Sequence, residues 1–61
     1  MTRKDYIAFA ERFKFERPDD GQSLQAEAMW TVLLQTTADI FAADNSRFDR
    51  SRFLRAAGLL D

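Results

Sequence analysis

The side chains of this chain that can do chemistry are its charged ones. Its 61 residues hold nine Lys or Arg and ten Asp or Glu, with no His and no Cys. That removes the thiol nucleophile, the commonest general base and the commonest transition-metal ligand. Carboxylates alone can catalyse, but only in a concave, water-poor site that so short a chain can hardly build. An enzyme is therefore not expected, and no cofactor or metal is called for. What these residue types can do is bind.

The first candidate for binding is the arginine set Arg47, Arg50, Arg52 and Arg55. On a helix starting near Asp49, Arg52 and Arg55 are three apart and share a side. Such a patch suits phosphates or an acidic protein surface. A helix, a short turn and a basic helix also resemble a helix-turn-helix, though the turn lacks a glycine and Asp49 would point toward phosphate. The plain alternative is a solvated face, with Arg50 and Arg52 pairing to nearby carboxylates.

The second candidate is acidic. Glu16, Asp19, Asp20, Glu27, Asp39 and Asp44 all lie in the middle of the chain. Asp19 and Asp20 beside Gly21 lack the ligand spacing of a calcium loop, so they read as the turn before a helix. Asp19, Asp20 and Glu27 are expected to be exposed, and they form a second contact patch toward a basic partner. The third candidate is aromatic: Tyr6, Trp30 and the six phenylalanines. Most belong to a core, but Trp is enriched among interface anchors, so Trp30 is also a candidate partner contact.

Three helices must position these groups. The longest runs over about 24–43, with Ser23 as its cap. At 100° per residue, Ala26, Met29, Trp30, Leu33, Leu34, Thr36, Thr37, Ile40 and Phe41 fall on one arc of roughly 160°, expected to be buried. Its length of about twenty residues corresponds to roughly 30 Å. A first helix over about 3–15 follows from Thr2 as N-cap, Asp5 in the place of the capping-box acid, and Tyr6, Phe9, Ala10 and Phe13 at helical spacing. Pro18 forces the preceding residue out of the helical region and ends it. A third helix over about 49–57 has Asp49 as its cap, with Phe48 and Phe53 at the spacing of a hydrophobic staple. Gly58 stands where a left-handed residue closes a helix, and Leu59 can supply the accompanying apolar contact. The fold expected is all-α: residues 1–61 as a single compact three-helix domain, a long central helix with two shorter ones against it.

Net charge is −1, which argues against a general polyanion binder. The distribution is uneven. Residues 1–15 carry four basic and two acidic groups, residues 16–44 one and six, and residues 45–61 four and two. The chain is basic at both ends and acidic in its middle. No apolar run reaches the roughly 20 residues of a membrane span, and no signal peptide is expected after Met-Thr-Arg-Lys-Asp-Tyr.

Those first six residues resemble the opening of many very small helical proteins encoded by bacteriophages and other mobile elements. Residues 39–58, from Asp39-Ile-Phe-Ala-Ala through Arg47-Phe48-Asp49 to Gly58, are similar to their closing motif, F-x-x-D-N-P-R-F-D-x-x-R-F-x-x-A-x-G. Ser46 stands where that motif has proline, which loosens the turn without moving the staple. The resemblance implies a phage-type origin and a helical fold, and no binding residues carry over from it. Small phage proteins without catalytic residues often occupy a host protein's surface, bacterial immunity included. The leading expectation is thus a cytoplasmic, non-enzymatic protein that binds a host protein, an inhibitor of a defence complex such as a CRISPR effector being its most specific form. The contacts expected are Arg47, Arg50, Arg52 and Arg55, with Asp19, Asp20 and Glu27. The alternatives are a nucleic-acid-binding regulator using the third helix, and a self-assembling protein, a homodimer for example.

Overall fold

The computed structural model describes residues 1–19 and 21–59. Three helices make up the fold: α1 over Arg3–Phe15, α2 over Leu24–Asp44 and α3 over Arg50–Ala56. The α1 N-terminus is a complete capping box. The Asp5 carboxylate accepts from the Thr2 backbone N–H at 2.9 Å, and the Thr2 hydroxyl accepts from the Asp5 N–H at 3.4 Å. Asp5 is held below the ordinary carboxylate range, chiefly by that backbone hydrogen bond and then by the Thr2 hydroxyl. Ser23 caps α2 through the Ala26 N–H at 3.1 Å.

Between α2 and α3, the Asn45 side chain accepts from the Arg47 N–H at 3.0 Å, which turns the chain sharply. Asp49 then caps α3 by accepting from the Arg52 N–H at 3.0 Å. The Phe48 and Phe53 rings meet at 5.4 Å between centroids, closing the staple. At the other end Gly58 has φ +94, the Leu59 N–H donates to the Leu54 carbonyl and the Gly58 N–H donates to the Arg55 carbonyl. Those two bonds define a Schellman motif.

The helices close around Phe41. Its ring has four aromatic neighbours, Tyr6, Phe9, Phe48 and Phe53, at centroid distances of 5.0, 5.1, 5.5 and 5.4 Å. They come from α1, the turn and α3, so one side chain of α2 joins every part of the fold. Such offset and edge contacts are the favourable geometries for ring pairs. α3 packs against both other helices, whereas α1 meets α2 mainly through large side chains. Trp30, Leu34, Ala38, Phe53, Leu54, Ala57 and Ala10 complete the buried set among the described residues.

The burial of α2 departs from the expected arc. Trp30, Leu34, Ala38 and Phe41 are buried, on one edge of that arc and just past it. Met29, Leu33 and Ile40, expected inside, are 63%, 54% and 61% exposed. α1 and α3 are 13 and 7 residues long and lie on the same side of α2, so they cover only that side. Phe9 is likewise half-exposed, although its edge rests on Phe41. Among the described residues no helix is long and apolar enough to cross a membrane.

Candidate functional site

Two surface grooves hold most of the singled-out charges. The first, about 530 Å³, lies between α1, α3 and the turn that leads into α3. Its floor is apolar: Ala10 and Phe53 are buried, Tyr6 and Phe48 partly so. Its margin carries Arg3, Arg47 and Arg52, with Met1 and Ile7 exposed beside them. Asp49 also borders it, but its carboxylate is engaged with the α3 N-terminus. No ion pair involves Arg3, Arg47 or Arg52 among the described residues. The α3 staple places Phe53 under the groove, and the Asx turn at Asn45 sets Arg47 on its rim.

The second groove, about 760 Å³, lies where α1 ends, α2 begins and α3 closes. Lys14, Arg17 and Arg55 border it together with Asp19 and Glu27. Both signs of charge meet there, and one pair is already formed: Arg17 Nη2 lies 3.2 Å from Glu27 Oε1. Glu27 is therefore satisfied within the chain. Asp19 is exposed, and Asp20 lies outside the described residues.

The arginines expected to form one patch are divided. Arg47 and Arg52 belong to the first groove and Arg55 to the second. Arg50 is turned to α2, with its Nε 3.0 Å from Asp39 Oδ1. The reason is the shortness of α3. Packed by Phe53 and Leu54 between α1 and α2, it presents Arg52 toward α1 and Arg55 toward the opposite groove.

Trp30 does not serve as an exposed anchor. It is 6% exposed, its indole N–H donates to the Phe13 carbonyl at 2.9 Å, and the Arg17 guanidinium lies 5.1 Å from its ring centroid. A buried ring whose one polar group is already bonded has little to offer a partner.

Arg17 is the residue that sequence reasoning missed. Besides Glu27 and Trp30, it donates through Nη1 to the Gly58 carbonyl and so ties the end of α3 to α2. Two signals mark it in the sequence. It precedes Pro18, which holds its backbone extended. It is also the one cation in the acidic middle of the chain. Among the described residues no three metal-ligating side chains cluster. The chain matches no protein-family model, and comparison with curated proteins and with solved structures finds no match.

Proposed function

We propose that the protein is a non-catalytic interaction module that binds another protein stoichiometrically, with its α1–α3 groove receiving a segment of that partner. The observation that carries this reading is the make-up of the groove. An apolar floor lies under three arginines not engaged in ion pairs among the described residues. The floor selects an apolar side chain and the rim selects a carboxylate. A protein segment offers both together, whereas a phosphate backbone offers only the negative charge.

The resemblance of the chain ends to phage proteins supplies the finer version. The partner is then a host protein of the bacterial cytoplasm, such as a component of a defence complex, and the mechanism is occlusion of its surface. Nucleic-acid binding through α3 has less support. That helix has only seven residues, Arg50 is paired with Asp39, and a carboxylate caps the end that would face phosphate.

The test is capture from host lysate by the tagged full chain and by the double variant Arg47→Glu/Arg52→Glu, with and without nuclease. The expected result is one host protein retained near stoichiometry by the wild type, insensitive to nuclease, and lost from the variant at unchanged helicity. Full retention by the variant would remove the groove from consideration. Capture that depends on nucleic acid and weakens steeply with salt would promote the α3 reading instead.

A further inference from the structure

The face of α2 turned away from the core has a sequence pattern of its own. Ala26, Met29, Leu33, Thr36, Ile40 and Ala43 are spaced 3, 4, 3, 4 and 3 residues apart. That is an uninterrupted heptad seam of a and d positions, the pattern that seats one helix against another. Met29, Leu33 and Ile40 on the seam and Val32 beside it are 63%, 54%, 61% and 57% exposed. More than half of each stays open to solvent, so α1 and α3 leave this side of α2 largely uncovered. α2 carries no charged residue between Glu27 and Asp39, so nothing on the seam would oppose a second apolar surface or steer a charged one.

We propose that this seam pairs antiparallel with the same seam of a second copy of the chain. The occupant follows from the seam's own symmetry. Antiparallel pairing places a positions level with d positions, and in the register that overlaps the whole seam, residue pairs sum to 69. Ala26 then faces Ala43 of the second copy, Met29 faces Ile40 and Leu33 faces Thr36. Small meets small at both ends, and the large side chains meet across the middle. Asp39 on the seam's rim comes level with position 30 of the other copy, about 13 Å along the axis from the other Asp39. Each Asp39 keeps its ion pair with Arg50 of its own chain, so the rim sets no uncompensated charge against the second copy.

Size sets the strength of the pair, which dissociates on dilution. The four large side chains expose on the order of 400 Å², as much as the largest apolar patch that a typical monomer leaves open. The seam spans about 26 Å, and its exposed apolar area is about half of the roughly 800 Å² per partner of an ordinary interface. The pairing uses neither groove, so the dimer presents two copies of each.

Sedimentation equilibrium of the full chain over about 1–100 µM tests the pairing directly. The expected mass is twice 7.1 kDa at the upper end, falling to one chain on dilution. Leu33→Glu should give a monomer at every concentration with its helicity retained. Ile40→Lys and Met29→Lys should do the same, and they carry the test if Leu33→Glu alone does not fold. Orientation is read by cysteine cross-linking. Ala26→Cys mixed with Ala43→Cys should give disulfide-linked dimers, and either variant alone should give none. A chain monomeric throughout, or a dimer indifferent to all three charge variants, would overturn the proposal and leave the seam to a helix of another protein. Efficient cross-linking of each cysteine variant with itself would overturn the antiparallel arrangement.

Discussion

Arg17 ties the closing turn after α3 to α2 from the turn that follows α1. Its guanidinium donates to the Gly58 carbonyl and to Glu27 and lies over the Trp30 ring, three contacts from a side chain that stays 43% exposed. Ion pairs at such exposure are each worth about 0–1 kcal/mol, so geometry rather than Coulomb energy gives this residue its place. Asp5 acts locally by comparison. Its carboxylate pKa is lowered by the hydrogen bonds from Thr2, and that fixes the sign of its pH dependence. The stabilisation is complete above the unfolded value of about 3.9 and is lost as pH falls through the lower, folded value. Thermal melts of the wild type should therefore drop as pH falls below about 4, and Asp5→Asn should flatten part of that drop. Identical acid profiles for the two chains would show that the capping box makes no charged contribution.

Helix ends are where local sequence and structure agree most closely. Gly58 occupies the left-handed region, and a Cβ built there would lie 3.7 Å from Lys14 Cγ and 3.8 Å from Arg17 Nη1. Both are ordinary contacts, so the cost of Gly58→Ala is backbone strain alone, about 1–2 kcal/mol. The melting temperature should fall by roughly 4–8 °C per kcal/mol in a chain of this size, measurable by circular dichroism. No fall at all would mean that the turn relaxes out of the Schellman geometry. The three caps, the staple and this glycine were legible because each depends on residues within about five positions. The buried edge of α2 was not. Met29, Trp30, Leu33 and Leu34 are equally apolar, and only the placement of α1 and α3 decides that Trp30 and Leu34 go inside. The candidate site suffered the same loss. Arg52 and Arg55 share a side on an isolated helix, yet packing gives each its own groove, and the partners of Arg17 lie 10 and 41 residues away.

At the scale of the whole molecule the decisive fact is how little core there is. The buried set among the described residues is eight side chains, three of them alanines. Domains have roughly 0.05–0.15 kcal/mol of stability per residue, which for this chain is about 3–9 kcal/mol. Truncating a buried Phe to Ala costs about 3–5 kcal/mol. Phe41 is a severe place for that loss, because four rings from α1, the turn and α3 rest on it. Phe41→Ala should leave the chain largely unfolded at 25 °C. Phe41→Leu keeps most of the volume and should fold with a lowered melting temperature. Helical circular dichroism and intrinsic Trp30 fluorescence report the two outcomes separately, since the indole is buried only when α1 is docked on α2. A cooperative, wild-type-like melt for Phe41→Ala would mean that the ring cluster is not what joins the three helices. Stability must then come from elsewhere, and the apolar seam on the far side of α2 is the largest surface left to supply it.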